Sequence, residues 1–288
     1  MRGVVSYLPV KPALLYRQPS TLSSSSLRFV VKTPPNQLQP RLLTPTLFNQ
    51  QRSLYSKMAT PTAPEDPIVK ALQEFTTCDV SDALIKLKYR NGGFLSGLTM
   101  WSPQRQDGDT KIVGPAYTVQ YVPLDDPRPK HPSHYIDSVP AGAVIFVSCP
   151  PKTPNAVYGG LMSTRAKASG AVGSVIDGRF RDLQEQRGLG FPVFILGSLF
   201  CDRGAIANSL LKVAAVNVPV KLQTDEQDMT IRPGDYLIGD VNGAVVLPKE
   251  LAEQAIPLMK KQVEADEKMA VEIAKGMSFS EASKMFRL

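Results

Sequence analysis

From Pro67 onward, apolar positions fall at helical spacing: Ile68, Leu72 and Phe75, then Val80, Ala83, Leu84 and Leu87. A three-to-four residue recurrence predicts two amphipathic segments within 68–88, with Asp79 or Ser81 placed to cap the second. Gly92, Gly93 and Gly97 break the pattern, and the polar run 101–111 reads as a loop. Residues 113–122 alternate and are rich in β-branched and aromatic side chains, which predicts a strand. A proline-rich loop at 123–133 leads to a short buried strand at 143–148. Next come a helix over 161–168, a stop at Gly170, a buried strand over 172–176 closed by Asp177-Gly178, a helix to about Arg187 and a strand at 192–196. This β-α-β rhythm implies parallel pairing. Residues 212–247 switch to all-β texture with turns at 233–235 and 240–243, and 249–276 and 278–288 read as a long and a short helix. One mixed α/β domain, without internal repeats, is the economical reading.

Composition changes the picture mainly at the N-terminus. The formal net charge is +7, yet residues 1–57 hold eight basic residues and no acidic one, and the first carboxylate is Glu65. The remaining chain has 25 basic against 26 acidic residues, so the body carries no basic footprint for a nucleic-acid backbone. The tail also has eight serines and seven prolines, the composition of a mitochondrial transit peptide, with Arg52-Ser53-Leu54-Tyr55-Ser56 suited to matrix processing. A disordered extension preceding a start at Met58, which would leave the protein cytoplasmic, is the alternative. The expected organisation is therefore an extension at 1–57, a linker at 58–67 and a folded domain at 68–288. No apolar run approaches the roughly 20 residues that cross a bilayer. Cys78, Cys149 and Cys201 are an odd, scattered set, which excludes a disulfide framework or thiolate zinc site.

Two short motifs carry candidate chemistry. Gly159-Gly160-Leu161-Met162 leads straight into a helix, where backbone N–H groups at the positive end of the dipole suit a carboxylate. A tight turn needing glycine sterically explains the same residues. Asp177-Gly178-Arg179-Phe180-Arg181-Asp182 follows a buried strand, where open α/β sheets place ligands. Arg181 offers a planar donor fork and Asp182 a hard oxygen for Mg²⁺ or Mn²⁺, although such a pair is also a common surface ion pair. Asp177 reads as a turn residue, and Asp79 and Asp82 as helix-start residues. His131-Pro-Ser-His134 has metal-ligand spacing but sits in a loop without a third ligand.

Taken in order, Asn155–Met162, Ala166, Gly170, Gly173, Val175, Asp177-Gly178-x-x-Arg181-Asp182 and Phe191-Pro192-Val193-Phe194 resemble the RraA-like family. The Pro233–Asp235 turn and the Gly239–Val246 strand end match it too, so the resemblance covers about residues 68–288 and none of the tail. It implies a swivelling β/β/α domain, a homotrimer with sites between subunits, and a divalent metal, Mg²⁺ or Mn²⁺. It further implies 4-hydroxy-4-methyl-2-oxoglutarate aldolase or oxaloacetate decarboxylase activity through a pyruvate enolate. By that resemblance Arg181 holds the pyruvyl portion, Asp182 binds the metal, the Gly159–Met162 backbone receives the carboxylate, and Asp82 matches an acidic position given to a neighbouring subunit. Several bacterial aldolases of the family carry an acidic residue where this chain has Gly160, which favours decarboxylation over aldol cleavage here. With no histidine near the motifs, a metal-bound water is the expected proton carrier. The alternative within the family is a non-catalytic regulator that binds an RNA-processing enzyme.

Overall fold

Period-two burial organises the centre of the molecule. The structure, a computed structural model, describes residues 61–196, 210–224 and 226–287. The long strand β2 (Ile112–Pro123) turns Tyr117, Val119 and Tyr121 to one core and Ile112 and Ala116 to another. Its parallel neighbours do the same. In β3 (Val144–Ser148), Ile145 and Val147 face the first core and Val144 and Phe146 the second. In β5 (Gly173–Asp177), Ile176 and Val175 divide likewise. A strand buried on both faces has no polar side to show, which is why β3 and β5 read as short buried runs.

The main sheet runs in the order β1 (Leu98–Ser102), β7 (Val193–Leu196), β5, β3, β2, β11 (Tyr236–Asp240) and β12 (Gly243–Leu247). Strands β2, β3, β5 and β7 are mutually parallel, while β1 and β11–β12 pair antiparallel at the two ends. β8 (Leu211–Val216) pairs antiparallel with the C-terminal half of β2. The first core lies under α3 (Gly160–Ala168) and α4 (Leu183–Leu189). The second lies under the hairpin of β9 (Val220–Gln223) and β10 (Asp228–Ile231). A third joins α1 (Pro67–Leu72), α2 (Thr77–Lys86) and the long α5 (Ala252–Ala274) to β11 and β12. Helix α6 (Phe279–Phe286) packs back on α5. Each fully buried large side chain, such as Phe146 or Phe194, stabilises the fold by about 1.5–3 kcal/mol.

Three expectations are corrected. Helix α2 is capped by Thr76 in a capping box with Asp79 at the third position, so neither Asp79 nor Ser81 is the cap. The segment 101–111 is not all loop, because Ser102 and its predecessors pair with β7. Two short strands, β4 (Ala156–Tyr158) and β6 (Arg179–Phe180), form a separate parallel pair. Elements of two or three residues are too brief to display a period. No helix among the described residues is long and apolar enough to cross a membrane. The extension at 1–57 lies outside the described residues.

Candidate active site

The chain leaves β3 and β5 at neighbouring C-terminal ends and forms β4 after residues 149–155 and β6 directly after Gly178. Arg181 N–H donates to Tyr158 O at 3.0 Å, which extends this small pairing to the motif residues. Tyr158 is buried, and its hydroxyl meets Ser174 Oγ at 2.8 Å, tying β4 to the main sheet. Burial pushes that phenol up to about 12, so it stays neutral at physiological pH.

Beyond β4, Gly159 is fully extended and α3 starts at Gly160. Neither glycine needs a left-handed backbone; Gly159 is crowded by Asp182 and Arg181, and Gly160 by Glu185 of α4. A Cβ on Gly159 would stand 2.8 Å from Asp182 Oδ2, and one on Gly160 would stand 2.2 Å from Glu185 Oε2 and 3.0 Å from Glu185 Cβ. The Glu185 carboxyl thus fills the space that a side chain at 160 would occupy. Partial burial and then the charge of Asp182 raise its pKa, with Arg181 opposing.

Asp182 adopts φ 61° and ψ 40°, a left-handed conformation that aspartate tolerates better than most side chains. That turn swings its carboxylate away from its own helix and onto the neighbouring one: Gly160 N–H donates to Asp182 Oδ2 at 3.1 Å. A carboxylate at a helix N-terminus is favoured by the dipole and by the open amides. Met162 and Ser163 N–H both turn back to Gly159 O at 3.1 Å, which leaves Leu161 N–H as the first-turn amide with no partner among the described residues. Of the four residues expected to form a backbone cradle, Gly160 and Met162 thus have their amides engaged within the protein. Arg181 Nε lies 3.5 Å from Asp182 Oδ2, and its two terminal nitrogens have no partner among the described residues. Gln186, fully buried, donates from Nε2 to Arg181 O at 2.7 Å and locks the backbone beneath the guanidinium. Gln186 has no sequence signal beyond its place four residues after Asp182.

Gly159, Leu161, Met162, Arg181 and Asp182 all line one cleft of about 460 Å³. Arg181 and Asp182 are 43% and 34% exposed, open to that cleft yet held by the contacts above. Gly160 supports the cleft through Asp182 without lining it. Asp177 is buried at the end of β5 and Asp82 is exposed on α2; neither lines the cleft. The fold also brings in His131 and His134, which sequence reasoning set aside, together with residues it did not single out. Lys130, His131, His134 and Lys212 form further wall, with the buried phenols of Tyr121 and Tyr135 between. Desolvation holds both phenols far above their ordinary pKa. Asp182 is the sole carboxylate among these described lining residues, so the cleft favours anions.

Among the described residues, no three His, Cys, Asp or Glu side chains gather as a metal-binding group. A Mg²⁺ or Mn²⁺ site needs no such cluster, since magnesium is commonly held by one or two carboxylates with water and substrate completing the shell. The donor chemistry fits: Asp182 is a hard oxygen ligand at the cleft, and Glu185 is a second carboxyl whose ionisation its charge already opposes. A divalent cation would relieve that like-charge crowding.

Comparison with known proteins follows the same lines. The family model RraA-like, described as Aldolase/RraA, matches residues 77–246. Protein DlpA of Legionella pneumophila is 29% identical over 240 residues, 80% of this chain, and the chain spans 37% of that protein's length. A protein of Halalkalibacterium halodurans, provisionally named a 4-hydroxy-4-methyl-2-oxoglutarate aldolase, is 31% identical over 192 residues, covering 67% of this chain and 81% of its own. The crystal structure of Streptomyces coelicolor RraAS2, described as an unusual member of the RNase ES inhibitor RraA protein family, superposes with a TM-score of 0.57. It is 25% identical over 75% of this chain and all of its own.

Proposed function

The chain belongs to the RraA-like family, and from that premise we propose that it is a divalent-metal-dependent carbon–carbon lyase acting on short 2-oxo acids. The observation that carries this reading is the Arg181–Asp182 pair on the wall of an anion-favouring cleft, with Asp182 pinned by the Gly160 amide. Oxaloacetate and 4-hydroxy-4-methyl-2-oxoglutarate are the substrates, and pyruvate is the common product.

The fork of Arg181 grips the pyruvyl carboxylate and 2-oxo oxygen, with Leu161 N–H as a second donor. Asp182, with Glu185 beside it, holds the metal. When bound, Mg²⁺ or Mn²⁺ supplies Lewis-acid polarisation of the carbonyl. Breaking the C3–C4 bond sends its electron pair into an enolate, and Arg181 is positioned to meet the charge that develops on the C2 oxygen. Glu185 fills the place of the acidic side chain missing at Gly160, which keeps aldol cleavage within the site's reach. Assembly as a homotrimer and delivery to the mitochondrial matrix through residues 1–57 belong to the same proposal.

The test is the release of pyruvate from oxaloacetate by the purified protein with Mg²⁺ or Mn²⁺, compared with metal alone. Arg181→Ala and Asp182→Ala are each expected to abolish the excess while leaving the thermal unfolding transition in place. Activity that survives both substitutions refutes the site. A protein-binding regulator, the alternative suggested by RraAS2, would show no metal-dependent thermal stabilisation by pyruvate or oxalate.

A further inference from the structure

The loop 124–134 is fastened to strand β8. His131 N–H donates to Val213 O at 2.8 Å, and Lys212 Nζ donates to Leu124 O and Asp126 O at 3.1 and 2.6 Å. The His131 ring is fixed as well: Nδ1 lies 2.9 Å from Ser133 O. A carbonyl oxygen only accepts, so Nδ1 carries the proton, and in the neutral ring Nε2 is left as the base. Nε2 has no hydrogen-bond partner among the described residues, and His131 lines the same cleft as Arg181 and Asp182. The other histidine is differently employed. His134 Nδ1 accepts from Ile136 N–H at 3.4 Å, and its ring stacks on Tyr135 at 5.3 Å.

We propose that His131 is the proton-transfer residue of this cleft, taking and returning the proton of a 4-hydroxy-2-oxo acid during cleavage. This inference rests on the lyase reading above. Neutral Nε2 takes the proton of the C4 hydroxyl. The O–H electron pair becomes the new C4 carbonyl bond as C3–C4 breaks, and the C3–C4 pair moves into the enolate. The imidazolium then returns the same proton to C3, the C2 carbonyl re-forms, and the ring is neutral again. Two molecules of pyruvate leave 4-hydroxy-4-methyl-2-oxoglutarate, and no proton is gained or lost. Oxaloacetate has no hydroxyl proton to remove, so its loss of CO₂ depends on His131 far less.

The charged groups that share the cleft with the imidazole are Lys130 on the loop, Lys212 on β8, Arg181 and Asp182. The phenols of Tyr121 and Tyr135 stay uncharged.

The experiment compares His131→Asn with the wild type on both substrates across pH. Asparagine keeps a donor for Ser133 O and removes the basic nitrogen, and His131→Gln serves as a second variant should the loop loosen. Cleavage of the hydroxy acid should fall on the order of 100-fold while oxaloacetate decarboxylation falls less than about fivefold, the size expected for one general base. The variant should also lose the limb of the cleavage pH profile on which an imidazole sheds its proton, and added imidazole should restore part of the rate. Equal losses on both substrates, or an unchanged pH limb, overturn the assignment. Wild type that decarboxylates oxaloacetate but never cleaves the hydroxy acid overturns it too, while the lyase reading stands. Wild type inactive on both substrates overturns the lyase reading and the inference together.

Discussion

Asp182 pays for its left-handed backbone with roughly 1 kcal/mol, and what it gains is a carboxylate aimed at another helix. The two glycines make room for that reach, and Gly160 is the more crowded of them. Gly160→Ala places a methyl 2.2 Å from Glu185 Oε2 and 3.0 Å from Glu185 Cβ. The carboxyl end can rotate away, but the Cβ cannot, so overpacking should destabilise the fold by about 1–3 kcal/mol in urea unfolding. On a Glu185→Ala background the penalty should shrink without vanishing, because the second Cβ remains. A penalty identical on both backgrounds would show that the glycine is not held by α4.

At the scale of elements, the site belongs to a strand pair too short to stand alone. β4 and β6 contribute five residues between them, and Gln186 and Tyr158 anchor them from inside the core. Gln186→Leu keeps most of the volume, removes the donor to Arg181 O and leaves that carbonyl without its side-chain partner. A loss of about 1–3 kcal/mol is expected in urea unfolding. The freed Arg181 backbone should also raise the KM for oxaloacetate more than it lowers kcat. A stability loss with unchanged KM would separate the glutamine from the guanidinium's placement.

Asp235 joins distant parts of the molecule. Its carboxylate accepts from Arg232 and Lys249 N–H at 2.8 and 3.2 Å, and its carbonyl accepts from Ala116 N–H at 2.7 Å, linking β2, the start of β11 and the approach to α5. Burial raises its pKa despite those two donors. An acid with a raised folded-state pKa binds its proton more tightly when folded, so its contribution is fully present below the unfolded value. It is lost as pH rises through the folded value. Asp235→Asn does not titrate there. The stability of wild type relative to the variant should therefore decline as pH rises above the ordinary aspartate range, measured as the difference in unfolding midpoints. A difference that grows with pH would reverse the assigned direction.

The elements whose burial repeats along the chain can be read from the residues themselves. The parallel strands, the late all-β stretch and the two C-terminal helices were legible because each side chain's surroundings follow from its period. The same reading singles out Arg181 and Asp182 as candidates, since a fork and a hard oxygen side by side limit what they can bind. Tertiary structure alone decided that Asp182 caps a different helix, that Glu185 fills the gap at Gly160, and that His131 shares a wall with a motif 50 residues away. These depend on contacts between segments that no local period encodes: a left-handed turn redirects one side chain, and a loop is pinned to β8 by hydrogen bonds.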